Sequence, residues 1–132
     1  MSTIKAANLQ NTGSGAPTIK NSSGTEVGQF AKAWINFNGT GTVAIRDDFN
    51  VSSITDQATG RYTVNLTNAM GSAENYVITG ASGEGAGKDV VLFDSGGATY
   101  VAPTSTSFRV RIADTTGLHQ DARHIMLAIF GA

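Results

Sequence analysis

From Ala31 onward the apolar residues of this chain recur at every second position, in short runs separated by Gly, Asn, Asp and Ser. Successive side chains of a β-strand point to opposite faces, so this period buries one face and wets the other. Ala31, Ala33, Ile35 and Phe37 share a face, Asn38-Gly39-Thr40-Gly41 supplies a hairpin turn, and Val43 and Ile45 point together beyond it. A third run spans Phe49 to Ile54 and meets a turn at Asp56-Gln57-Ala58-Thr59-Gly60. Tyr62, Val64 and Leu66 then alternate with Arg61, Thr63 and Asn65. Further strand-like runs are Tyr76 to Thr79, Asp89 to Phe93, Thr99 to Val101, Ser107 to Ile112 and Arg123 to Phe130. No segment carries the apolar stripe of an amphipathic helix, which recurs about every 3.6 residues. Roughly eight or nine short strands with turn residues between them predict an all-β fold, a compact antiparallel β-sandwich or jelly-roll-like domain over residues 31–132.

Residues 1–30 differ. They are rich in Gly, Ser, Thr and Asn, and their apolar residues, among them Ile4, Leu9 and Ile19, are isolated rather than periodic. Such a segment cannot build a core of its own. It is expected to be an extended N-terminal arm that attaches the protein or locks subunits, with Ile4, Leu9 and Ile19 as its anchors.

The last strand carries a different message. In Arg123-His124-Ile125-Met126-Leu127-Ala128-Ile129-Phe130, Ile125, Leu127 and Ile129 face one way while Met126, Ala128 and Phe130 face the other. Both faces are apolar, and a small sandwich covers only one of them. Trp34, on the face opposite Ala33 and Ile35, raises the same question. Trp34, Met126, Ala128 and Phe130 are therefore the expected interface of a homo-oligomer.

Composition limits the partners. The 132 residues suffice for one domain, and 40% are hydrophobic but only 14% charged, against roughly 25% in ordinary globular chains. Nine basic and ten acidic residues give a net charge of −1, which builds no field for nucleic acid. There is no cysteine, hence no disulfide and no thiolate metal site. The first residues lack the apolar run of a secretory signal, and no stretch approaches spanning length, so membrane insertion is not expected and the chain is expected to be made in a cytoplasm.

Nothing in the sequence assembles a catalytic centre. Gly83-Glu84-Gly85-Ala86-Gly87-Lys88 resembles a phosphate loop, but Ser82 and Asp89 stand where that loop needs Gly and Ser or Thr, so it reads as a hairpin tip. His119 and His124 lack a third ligand. Asp47 and Asp48 are adjacent, so in extended chain they point apart and read as a turn, as does Asp114-Thr115-Thr116-Gly117. No serine sits in a nucleophile elbow. A non-enzyme without metal or cofactor is the expectation. Arg109 and Arg111 alternate with Phe108, Val110 and Ile112, which projects two guanidinium groups from one strand face toward solvent, a sugar carboxylate or a partner chain.

The segment Lys32-Ala33-Trp34-Ile35-Asn36-Phe37-Asn38-Gly39-Thr40-Gly41-Thr42-Val43-Ala44-Ile45-Arg46 and the pieces Val51-Ser52-Ser53-Ile54-Thr55-Asp56, Gly60, Tyr62-Thr63-Val64-Asn65, Ser107-Phe108-Arg109-Val110 and Leu127-Ala128-Ile129-Phe130-Gly131 resemble small tail-fibre-like virion proteins of tailed bacteriophages, notably those of cyanobacteria. The likeness spans residues 31–132. It implies a virion structural protein: a homotrimeric tail-fibre or spike component that contacts other virion proteins and a host-surface glycan, with Tyr100, Arg109 and Arg111 as receptor contacts. A capsid decoration (cement) protein or head fibre is the alternative, since a chain of this length has no room for a long shaft. A bacterial carbohydrate-binding module fits less well, with a single Trp and no leader.

Overall fold

The structure, a computed structural model, describes residues 17–83, 90–93 and 101–131, together with Asn8 and Gln10. The chain divides into two compact units, Met1–Phe30 and Ala31–Ala132.

In the first unit, β1 (Ile19–Lys20) pairs antiparallel with β2 (Glu26–Gly28). Asn21 makes the turn: its Oδ1 accepts from the N–H groups of Ser23 (3.1 Å) and Thr25 (2.9 Å) and from Ser23 Oγ (2.7 Å). This side chain imitates a backbone turn, so the described part of the arm is a hairpin rather than an extended segment. Ile19 remains exposed against Gly28, and Ile4 and Leu9 lie outside the described residues.

The second unit is a β-sandwich. Its strands are β3 (Ala33–Asn38), β4 (Ala44–Phe49), β5 (Val51–Ala58), β6 (Arg61–Leu66), β7 (Tyr76–Gly83), β8 (Val90–Phe93), β9 (Ser107–Ala113) and β10 (His124–Gly131). Sheet 1 has the order β4-β3-β10-β7 and sheet 2 the order β5-β6-β9-β8, with every neighbouring pair antiparallel. No helix occurs among the described residues.

Alternation decides which side chains meet. Ala33, Ile35 and Phe37 of β3 and Ile125, Leu127 and Ile129 of β10 point inward from sheet 1, toward Tyr62, Val64 and Leu66 of β6 and Phe108, Val110 and Ile112 of β9. All lie within one buried cluster, each large side chain contributing about 1.5–3 kcal/mol by leaving water. The Phe37 and Tyr62 rings meet edge to face at 5.2 Å between centroids and tie one sheet to the other.

Several boundaries differ from the sequence reading, each for a local reason. The run Phe49 to Ile54 is two strands in two sheets, because Asn50 takes φ 60° and turns a corner. Its amide holds that corner: Nδ2 donates to Lys32 O (3.0 Å) and Oδ1 accepts from Asn68 N–H (2.8 Å) and Asn68 Nδ2 (3.0 Å). Asn tolerates the left-handed region better than other side chains bearing a Cβ. The turn expected at Asp56 to Gly60 contracts to Thr59-Gly60, since β5 runs on to Ala58. Asp47 and Asp48 belong to β4 rather than to a turn, facing Asn36 and Ile35 respectively. A register shift between Asn36 and Phe37 breaks the β4 alternation, so Ile45 stays 37% exposed while Val43 packs on the core. Val101 lies outside any strand, and Thr99 outside the described residues.

Candidate functional site

The inward faces are complementary, and the two outward faces are chemically unlike. On sheet 1, β10 places Met126, Ala128 and Phe130 outward. The register sets Ala128 opposite Trp34 of β3, Trp34 opposite Phe49 of β4, and Phe130 opposite Val77 of β7. A band of apolar side chains thus crosses all four strands. Phe49 is 54% exposed, Val77 65%, Met126 43% and Trp34 37%, while Ala128 and Phe130 are half-buried. Asn36 and Arg46, joined through Arg46 Nη1 and Asn36 Oδ1 at 3.4 Å, lie with Asp47 beyond Met126 and form a polar margin. An apolar patch with a polar rim is the usual form of a protein–protein contact surface.

All four residues expected at an interface, Trp34, Met126, Ala128 and Phe130, are therefore brought to one face. Phe49 and Val77 escaped the sequence reading. Phe49 was absorbed into a single run with Ile54, and Val77 sits in Tyr76-Val77-Ile78, where an apolar residue on each face was already a sign of a strand apolar on both sides.

Sheet 2 is polar on the outward positions of β5, β6 and β9. Arg109 and Arg111 of β9 project there, Arg109 opposite Thr63 and Arg111 opposite Arg61 of β6. Asn65 Nδ2 donates to Ser53 Oγ (3.1 Å) and Thr55 Oγ1 (3.2 Å), and Gln57 Nε2 donates to Thr63 Oγ1 (3.3 Å), so the amides and hydroxyls form cross-strand rows. Tyr100 and the segments 84–89 and 94–100 lie outside the described residues.

At one end of the sandwich a polar knot supports both sheets. Asp121 Oδ1 accepts the Gly60 N–H at 2.7 Å and the Tyr62 hydroxyl at 2.8 Å, with the Gly39 carbonyl oxygen 3.1 Å from the same hydroxyl. Tyr62 is fully buried, and burial, then the hydrogen bond to Asp121, pushes its phenol far above the ordinary value of 10.0. A phenol that stays protonated and donates to a carboxylate is a structural pin. Gly60 is required there: at φ +64°, a Cβ would stand 2.6 Å from the carbonyl oxygens of Gln120 and Ile112.

The other titratable candidates are scattered. His119 is exposed beside the Asp114 turn, bridging to Ala113, and His124 starts β10. Asp114 is held below its ordinary value by the Thr116 hydroxyl and by the N–H groups of Leu118 and Thr116, closing the turn expected there. Among the described residues no three His, Cys, Asp or Glu side chains converge on a point, and no helix is long and apolar enough to cross a membrane. A shallow cavity of about 330 Å³ between β7 and β8 is lined by Tyr76, Val77, Ile78, Phe93 and Pro103, with Glu74 as its charged member. Comparison with protein families, with curated proteins and with solved structures finds no match to this chain.

Proposed function

We propose that this chain is a bacteriophage virion structural protein, a homotrimeric tail-fibre or spike component that self-associates through the outer face of sheet 1. The observation that supports self-association is the band of exposed Phe49, Trp34, Met126 and Val77 with half-buried Phe130 among them, on a sheet whose other face already fills the core. The three-fold arrangement and the setting on a phage particle come from the tail-fibre resemblance of residues 31–132. In this reading the role is mechanical and adhesive rather than catalytic, other virion proteins contact the arm, and the polar face of sheet 2 turns toward the host glycan. The second reading, a capsid decoration protein or head fibre, draws on the small sandwich without a fibrous repeat among the described strands.

Phe130→Asp tests the interface. Phe130 is half-buried and outward, so the fold tolerates the change, whereas an unpaired carboxylate in an apolar contact costs several kcal/mol, on the order of 3. Light scattering should give a trimer for the wild type and a folded monomer for the variant. A wild type that is monomeric at micromolar concentration refutes the interface. Antibody labelling of particles then separates tail from capsid lattice.

A further inference from the structure

The apolar band on sheet 1 ends differently at its two edges. At the β4 edge it ends in a knob: Phe49 is 54% exposed, and the chain turns its corner directly after it at Asn50. At the β7 edge it ends in a hollow, the cavity of about 330 Å³ between β7 and β8. Val77 belongs to both the band and the hollow, and Tyr76, Ile78, Phe93 and Pro103 complete an apolar lining. A space of about 150 Å³ is enough to take a benzene ring, so the hollow has room for one phenyl side chain.

Symmetry decides whether the two ends meet. Association across a two-fold axis needs one self-complementary surface, whereas a three-fold ring needs two unlike surfaces that fit each other. Three sheets set around an axis along their strands abut at their edges, and rotation brings the β4 edge of one copy beside the β7 edge of the next. Such a rotation leaves each residue at its own level along the axis. The levels agree: Phe49 stands opposite Trp34, Trp34 opposite Ala128 and Ala128 opposite Thr79, so Phe49 shares the cross-strand row of Thr79. Tyr76, Val77 and Ile78 lie one to three residues from Thr79, about 3–10 Å along the strand, which the reach of an aromatic side chain and the twist of the sheet span. Charge agrees as well. Lys32 lies at the Phe49 corner, its carbonyl oxygen 3.0 Å from Asn50 Nδ2, while the charged residue lining the hollow is Glu74.

We infer that Phe49 of each copy inserts into the β7–β8 hollow of the next copy and so closes a ring of three. The inference rests on the homotrimer of the proposed function and gives that trimer its geometry: the contact is head to tail, between two different surfaces of the same chain. An aromatic anchor in an apolar pocket is the kind of contact that dominates interface energies, and Lys32 and Glu74 supply the polar rim beside it. Trp34, Met126 and Phe130, between the two edges, then face the three-fold axis.

The chain has no cysteine, so introduced thiols report contacts without background. Asp47→Cys places a thiol on β4, exposed and on the same face as Phe49, and Ala73→Cys places one on the wall of the hollow; Phe49 and the aromatic lining stay intact. With a short bismaleimide, the two single variants expressed together should give cross-linked dimers and the double variant covalent trimers, while neither single variant should link to itself. Glu74→Lys should raise the concentration at which the trimer dissociates about threefold, in line with an exposed ion pair, and adding Lys32→Glu should restore it. Light scattering of the wild type separates the two ideas. A monomer ends the self-association reading and the ring with it, whereas a trimer without the cross-link between positions 47 and 73 leaves the trimer standing and overturns the insertion of Phe49. Self-linking of Asp47→Cys, which would mean a two-fold contact, overturns it too, as does a Glu74→Lys loss that Lys32→Glu fails to restore.

Discussion

Replacing Tyr62 by Phe keeps the ring that meets Phe37 and removes one hydroxyl, so it isolates the polar knot at Asp121. At neutral pH the variant loses a 2.8 Å hydrogen bond to a carboxylate. Such bonds contribute about 1.5–3 kcal/mol, and the lower end applies because Asp121 keeps the Gly60 N–H and is only half-buried. A loss of about 1.5 kcal/mol should lower Tm by about 6 °C. Alkaline pH reverses the ranking. The native phenol is raised far above 10.0 by burial, whereas the unfolded chain ionises near 10.0. Stability from this group is therefore complete below pH 10.0 and is lost as pH rises above it, since the unfolded state releases a proton that the native state retains. By about pH 11.5 the wild type has lost about 2 kcal/mol through Tyr62 alone, a loss the Phe variant does not share. Tyr76, also raised by burial, affects both proteins alike. Urea denaturation at several pH values should show the wild type ahead at pH 7 and the variant level or ahead near pH 11.5. A gap that stays constant through this range would refute the assignment of Tyr62 as a buried, non-ionising donor.

Gly60→Ala should cost about 3 kcal/mol or more, because the backbone is left-handed at φ +64° and the new Cβ meets two carbonyl oxygens at 2.6 Å; a denaturant midpoint near that of the wild type would contradict this packing. Asn50→Ala should be more destabilising than Asn50→Gly, by about 1 kcal/mol, since both lose the amide bonds to Lys32 and Asn68 but only Gly adopts φ 60° freely; equal midpoints would mean the corner is unstrained. Asp114→Asn should flatten the acid limb of the stability curve: the depressed carboxyl contributes above the unfolded value of 3.8 and loses that contribution as pH falls through its lower folded value, which an NMR titration of Asp114 can verify directly.

Period-two alternation was enough to assign the β class and to name the inward residues, because a strand has only two faces and the core must take the apolar one. Ile35, Phe37, Tyr62, Val64, Val110 and Leu127 are buried for that reason. The same rule exposed the last strand as apolar on both sides. Corners were less legible. Asn50 interrupts what reads as one run, and its role depends on Lys32 and Asn68, distant partners that no local pattern announces.

Local pattern assigns each side chain to a face of its own strand, and it does so for Trp34, Met126, Phe130, Arg109 and Arg111 alike. It cannot say which strands are neighbours. Pairing β10 with both β3 and β7 is what joins Phe49, Trp34, Phe130 and Val77 into one surface, and pairing β6 with β9 is what sets Arg61 against Arg111. These neighbours are separated by long stretches of chain, and their register follows from closing a common core rather than from any nearby turn. The face of each residue is thus a property of the backbone's alternation, while the company it keeps on that face is a property of how the two sheets close over Phe37, Tyr62 and Phe108.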